Sequence, residues 1–128
     1  HYTPFAVKVL PELKSTKSLS ESQQKDKEGK MILKSISPSD FVVLLDEHGT
    51  EYRSMEFAKW IEKRRNGGRD LVFVIGGPYG FSPDVYNRAD ALISLSRMTF
   101  SHQMVRLIFV EQLYRACTII KGEPYHHE

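Results

Sequence analysis

The sequence has little of what marks the specialised classes of protein. It contains a single cysteine, Cys117, so no disulfide framework exists and a reducing cytoplasm fits. No apolar run approaches the roughly 20 residues that span a bilayer, and no signal peptide is visible. The net charge of +2 is too small to indicate a nucleic-acid partner without a local basic cluster. The overall composition, with 41% hydrophobic and 27% charged residues, is typical of a globular domain.

Apolar runs alternate with stretches of helical periodicity along the 128 residues. The runs FVVLL and LVFVI are apolar throughout, which is typical of strands buried on both faces of a parallel sheet. Four strands are predicted at 5–10, 41–45, 71–75 and 91–95, and four helices at 21–36, 55–65, from 83 onward, and 103–121. This order predicts one α/β domain over residues 1–128, with an open, mostly parallel sheet and helices on both faces.

Polar residues mark where several helices begin. Ser20, Ser54 and Ser82 are expected to cap three of them. In the first helix the apolar residues are concentrated in the second half, and Met31 and Ile32 are expected to reach the core. The first half is therefore predicted to be solvated.

The last helix is apolar on more than one side. At about 100° per residue, Val105 and Phe109 share one face, whereas Met104 and Ile108 lie on another. In so short a chain, a second subunit is expected to cover the second side. Arg106 is predicted within the apolar face, where it forms either a structural ion pair or a contact with an anionic ligand or RNA.

Three strand-to-helix loops are predicted to meet at the carboxyl edge of the sheet, which is where such folds bind ligands. They are residues 45–46, 76–80 and 95–102. Asp46 is either catalytic or the acceptor of a turn hydrogen bond, and the turn is favoured. The glycine loop reads G-G-x-x-G, which differs from the dinucleotide fingerprint, and no ribose-binding acid follows it.

The polar tail carries an aromatic ring and two imidazoles, Tyr125, His126 and His127. Adjacent histidines are compatible with a metal site, but no cysteine or carboxylate stands at ligand spacing, so no metal is predicted. A tail that folds over a functional site is the alternative.

Three segments, FVIGGPYGFSPDVYNRAD, ISLSRMTFSHQMVRLIFVEQLYRA and GEPYHHE, closely resemble the RlmH-type methyltransferases of the SPOUT superfamily. Those bacterial enzymes methylate N3 of a pseudouridine in 23S ribosomal RNA. The resemblance covers essentially the whole chain, most specifically from Phe73 onward, and Ser101 stands where the family usually has proline. Family members usually begin with a further strand and helix, so we expect an N-terminal piece of the domain to be missing.

The resemblance implies a SPOUT α/β knot, in which a deep C-terminal trefoil knot closes the sheet. It implies a homodimer with no membrane attachment that binds S-adenosyl-L-methionine at the knot. By motif match, the cofactor contacts fall on Leu45, Gly76, Leu95, Ser96, Arg97, Met98, Thr99 and Phe100.

The resemblance also places Tyr125 and His126 at the RNA-facing mouth of the site. We hypothesise that His126 orients or deprotonates the target base while Tyr125 packs against it, because a group with a pKa near neutrality suits proton transfer. Arg115 and His127 are the candidates for RNA contact, although Arg115 has an alternative partner in Glu111.

The small net charge favours 23S rRNA in an assembled ribosome as the substrate, since shape also selects there. The competing hypothesis is a non-catalytic RNA-binding dimer on the same knot. The presence of Gly76 and the LSRMTF loop argues against it. A generic nucleotide-binding module would need a P-loop lysine or a ribose-binding acid, and the sequence has neither at the required position.

Overall fold

The computed structural model describes residues 5–9, 20–76 and 80–127, and the elements alternate as predicted. They are β1 (Phe5–Val9), α1 (Glu21–Ser35), β2 (Phe41–Glu51), α2 (Ser54–Arg65), β3 (Leu71–Ile75), α3 (Pro83–Arg88), β4 (Ala91–Ser94) and α4 (His102–Lys121).

The four strands form one sheet in the order β1-β3-β2-β4, and every pairing is parallel. The two apolar runs lie at its centre. Residues 42–45 of β2 and 71–75 of β3 are all buried, as their continuous hydrophobicity predicted. The α/β class and the open parallel sheet are therefore confirmed, whereas the trefoil knot stays a prediction.

Two cores cover the two faces of the sheet. On the face beneath α2 and α4, Phe57, Phe73 and Phe109 form an aromatic cluster, with the Phe73 and Phe109 ring centroids 4.9 Å apart. On the face beneath α1 and α3, Ile32 and Val85 pack on the sheet. Burying each such side chain stabilises the fold by about 1.5–3 kcal/mol, so these cores hold the strand ends in place.

The second strand is longer than predicted. It runs to Glu51 instead of ending at residue 45, and both Leu45 and Thr50 pair with Ile93 of β4. Residues 46–49 leave the ladder between those two pairings as a bulge. A Cβ on Gly49 would lie 2.6 Å from the backbone nitrogen of Ile93. The bulge therefore packs directly against the β4 backbone.

The first helix buries polar residues that its sequence pattern did not predict. Gln24 and Glu28 are 6% and 3% exposed, and the Gln24 amide donates to the Glu28 carboxylate over 3.2 Å. Ile32 is buried as expected, but the prediction for Met31 was wrong, since that side chain is 39% exposed. A hydrogen-bonded polar pair takes core space that hydrophobicity alone assigns to apolar residues.

The second helix begins at its expected cap residue, Ser54, one residue earlier than predicted. Arg53 is the N-cap residue, and its backbone N–H donates to the Glu56 carboxylate over 2.9 Å. Ser54 lies inside the helix, where its hydroxyl donates to Gln112 of α4 over 3.3 Å. The prediction that Ser54 caps the helix was wrong because this tertiary partner competes for the hydroxyl.

The last helix is buried on one side and exposes apolar residues on the other. Phe109, on the face predicted to be apolar, is buried, and so is Ala116. The exposed apolar side chains, called here the outer stripe of α4, are Met104, Leu107, Val110 and Tyr114.

Arg106 is exposed, so its predicted place within a buried face was wrong. It lies about 60° round the helix from Phe109, beyond the edge of the buried face. In the described ranges, no helix combines the length and the apolarity needed to cross a membrane.

Candidate active site

A cavity of about 520 Å³ opens at the carboxyl edge of the sheet. Its wall is built from the ends of β2, β3 and β4, and the three predicted loops meet there. Residues 77–79 of the glycine loop lie outside the described residues. The volume falls in the range of small-molecule sites, about 300–1,000 Å³.

Most of the residues predicted to bind a cofactor line this cavity. They are Leu45, Gly76, Leu95, Ser96, Met98, Thr99 and Phe100. Arg97 does not lie on the wall. Its side chain is 93% exposed and forms an ion pair with Glu51 at 3.5 Å. The geometry therefore gives seven of the eight predicted residues access to one ligand, and their binding role stays a prediction.

The loop after β4 is held by serine hydroxyls. Ser94 donates to the Ser96 carbonyl over 2.9 Å, and the Ser96 hydroxyl accepts from the Met98 N–H over 3.0 Å. Ser101 then caps α4 by accepting from the Met104 N–H over 3.3 Å. Serine at the position where the family usually has proline thus acts as the helix cap.

Gly76 brings bare backbone to the cavity wall. A Cβ at this position would lie 2.9 Å from the ring of Phe81, which is itself 5% exposed. Any side chain would have to displace a buried aromatic ring. Glycine therefore leaves the backbone amide and carbonyl accessible to a ligand.

Asp46 lies on the wall with its side chain 7% exposed. Its Oδ1 accepts from the His48 backbone N–H over 2.8 Å, which is the predicted turn hydrogen bond, and lies 3.0 Å from His48 Nδ1. Its Oδ2 accepts from the Tyr86 hydroxyl. Sequence reasoning missed Tyr86, because no local motif links it to a residue on β2.

These contacts perturb both titratable groups. Burial raises the pKa of Asp46, but the hydrogen bonds from Tyr86 and His48 outweigh it and leave the pKa below the usual 3.8. Burial and the Asp46 carboxylate together raise the pKa of Tyr86 well above 10. At neutral pH, the wall therefore carries an ionised carboxylate held by a protonated phenol.

The tail folds back on α4. Arg115 contacts His126 Nδ1 at 3.0 Å and pairs with Glu111 at 2.6 Å, which was its predicted alternative partner. The Tyr125 hydroxyl donates to the same carboxylate over 3.2 Å, and its ring packs against Tyr114 with centroids 5.0 Å apart.

This tail cluster lies apart from the cavity of its own chain. Among the described residues, neither Tyr125 nor His126 lines the cavity, and His127 is exposed. Val105, near the start of α4, lies on the cavity wall, and Arg115 is about 15 Å further along the helix axis. A single chain therefore does not bring the predicted catalytic tail to the predicted cofactor site.

The sheet and the cavity together define the class of protein to which this chain belongs. A parallel α/β sheet with a cavity at its carboxyl edge, lined by apolar side chains, accessible backbone and a buried carboxylate, is a small-molecule-binding domain. In the part of the chain that the structure describes, no group of three or more His, Cys, Asp or Glu side chains is arranged to hold a metal ion.

Comparison with known proteins specifies the family. The family model described as "Predicted SPOUT methyltransferase" matches residues 1–126. The relative from Phocaeicola vulgatus, named "Ribosomal RNA large subunit methyltransferase H", is 63% identical over 129 residues, which cover 100% of this chain and 82% of the relative.

Relatives of the same name from Christiangramia forsetii and Flavobacterium psychrophilum are 62% and 56% identical, each over 99% of this chain and 82% of the relative. The chain belongs to the SPOUT methyltransferase family, and the resemblance seen in its sequence is confirmed.

Proposed function

We propose that this protein is an S-adenosyl-L-methionine-dependent methyltransferase that acts on N3 of a pseudouridine in 23S ribosomal RNA. One observation carries the proposal: the cavity at the three strand ends, in a chain of the SPOUT methyltransferase family. The names of its relatives supply the ribosomal RNA substrate.

The residues of the cavity suit this cofactor. Leu45, Leu95 and Phe100 offer apolar surface to an adenine ring, while the backbone at Gly76 offers hydrogen bonds to its polar edge. The bound cofactor would supply a methyl group already activated on a sulfonium. The task of the chain is therefore to hold donor and acceptor in line and to exclude water.

The acceptor nitrogen must lose a proton, and His126 is the proposed partner of the target base. Arg115 has no lone pair, so in their contact it donates and His126 Nδ1 accepts. With Nδ1 engaged as an acceptor, this contact supports orientation of the base by His126, with Tyr125 packed beside it, over deprotonation through Nδ1.

The outer stripe of α4 supports a homodimer. Leu107 and Tyr114 are 64% and 55% exposed, which is unusual for large apolar side chains in one stripe. We propose an isologous interface across this stripe in which the two-fold axis runs across the α4 helices, which pairs them antiparallel. The tail of one subunit would then lie near the cavity of its partner, with Arg115 and His127 available for RNA contact.

The proposed substrate form is 23S rRNA in the assembled ribosome, in the cytoplasm. A net charge of +2 gives little electrostatic attraction for free RNA, whereas an assembled surface also selects by shape. The C-terminal trefoil knot typical of the family is part of the same proposal.

The decisive experiment measures transfer of a labelled methyl group to ribosomes that lack the modification, with free 23S RNA alongside. The protein should carry the full length of its relatives, and mass spectrometry should assign label to N3 of a pseudouridine. The Thr99→Arg variant, which fills an exposed part of the cavity wall, is the matched negative control. Absence of label from both substrates would reject the methyltransferase and favour an RNA-binding module.

A further inference from the structure

The cavity wall has an excess of negative charge that the proposed reaction does not explain. Among the described residues, its charged side chains are those of Glu21, Lys25, Asp46 and Glu47, beside the imidazole of His48. In that part of the chain, three carboxylates lie on the wall with one ammonium group.

Asp46 is the buried member of this set. Its side chain is 7% exposed, whereas that of Glu47 is 55% exposed and screened by water. Neutral donors, the Tyr86 phenol and the His48 backbone N–H, hold the Asp46 carboxylate. Among the described residues, His48 Nδ1 lies 3.0 Å from Asp46 Oδ1, on a side chain that is 78% exposed. No lysine or arginine of the described chain forms an ion pair with Asp46, so the carboxylate can attract a cationic ligand.

We propose that Asp46 makes the cavity select the cationic methyl donor over the spent product. This inference rests on the function proposed above. In the transfer, the bond from sulfur to the methyl carbon breaks, its electron pair stays on sulfur, and the methyl group bonds to N3 while the N3 proton passes to water. S-adenosyl-L-methionine thereby loses its sulfonium charge and becomes the neutral thioether of S-adenosylhomocysteine. A fixed carboxylate binds the cationic S-adenosyl-L-methionine better than S-adenosylhomocysteine, whose thioether is neutral. This difference favours release of the product.

The test is binding calorimetry without RNA on the unaltered protein and on Asp46→Asn, which removes the charge at constant shape. The ligands are S-adenosyl-L-methionine, S-adenosylhomocysteine and sinefungin, in which a protonated amine replaces the sulfonium. In a water-accessible cavity with an effective dielectric of about 60, an ion pair at about 4 Å supports an affinity change of about ten-fold. Asp46→Asn should weaken both cationic ligands by about that factor and the thioether by less than about two-fold.

Glu47→Gln is the matched control, because it makes the same charge change at an exposed position and should alter all three affinities by less than about two-fold. If Asp46→Asn does not fold, Asp46→Ser removes the charge while keeping an acceptor for the turn hydrogen bond.

Equal losses for the cationic and neutral ligands in an Asp46 variant would overturn the proposal, as would equal affinities of the unaltered protein for all three. If the unaltered protein binds none of the three ligands, the proposed methyltransferase function is rejected as well. This outcome distinguishes failure of the proposed function from failure of the Asp46 proposal alone.

Discussion

At the residue scale, the tail depends on a few side chains whose roles differ. His126 contacts Arg115, whereas His127 is exposed. Replacing His126 with alanine should lower turnover on ribosomes by about 10²-fold, because a misplacement of the reacting base by about 1 Å has an effect of that order. Its affinity for S-adenosyl-L-methionine should stay within about two-fold, since His126 is not among the described residues that line the cofactor cavity.

His127→Ala is the matched control for that substitution. If His127 contacts RNA, its removal should raise KM for the ribosome and leave kcat nearly unchanged. Single-turnover methyl transfer and calorimetry separate the two effects. Unchanged turnover in His126→Ala would remove His126 from the mechanism.

The hydrogen bond between Tyr86 and Asp46 should make stability depend on pH. Because folding raises the pKa of Tyr86, its contribution is complete below the ordinary value of 10 and is lost as the pH rises further. Because folding lowers the pKa of Asp46, its contribution is present above 3.8 and is lost as the pH falls through the lower folded-state value.

Tyr86→Phe should therefore cost about 1.5 kcal/mol in the free energy of unfolding at pH 7. The decline of that free energy above a pH of about 10 should be shallower in the variant than in the unaltered protein. Urea unfolding across the pH range measures both quantities. Tyr52→Phe serves as control, because the Tyr52 hydroxyl makes no hydrogen bond within the described part of the chain. Parallel pH profiles for the unaltered protein and Tyr86→Phe would contradict the expected linkage.

At the scale of elements, the contact between the β2 bulge and β4 controls where the site residues lie. Gly49→Ala would place a Cβ 2.6 Å from the Ile93 nitrogen and the Leu92 carbonyl carbon, which are backbone atoms that no rotamer change can move. We expect a loss of at least about 2 kcal/mol in urea unfolding. Thr50→Ala, at an exposed neighbouring position, should cost less than about 1 kcal/mol. Equal losses would contradict the close approach of the two strands.

At the scale of the whole molecule, the separation of tail and cavity predicts that two subunits share each site. The Thr99→Arg variant would keep a functional tail but have a blocked cavity. The His126→Ala variant would keep an open cavity but have a tail without its imidazole. If the tail serves the partner's cavity, random mixing of the two should restore about a quarter of the unaltered activity, because half the dimers are mixed and each holds one complete site.

Methyl transfer before and after subunit exchange measures this recovery. Each variant alone is the control and should remain inactive. No recovery after exchange, with mixed dimers verified by native mass spectrometry, would mean that each tail serves its own cavity or that the tail has no catalytic role.

Much of the fold was predictable because it is encoded locally. Continuous apolar runs indicated the buried central strands, and the alternation of strands with helices indicated a parallel sheet. Parallel strands joined through helices end at the same edge, so the meeting of the three loops followed from element order alone. The family was recognisable because its motifs lie within contiguous segments.

The tertiary structure alone decided the contacts between distant segments. It paired Asp46 with Tyr86, turned Arg97 away from the wall, pressed Gly49 against β4 and kept the tail beside α4. Each outcome depends on packing between elements that are not adjacent in sequence, which periodicity and capping patterns do not encode. The sequence by itself determined the class, the edge that carries the site and the family. Three-dimensional packing decided which side chains face the ligand and the charge they present to it.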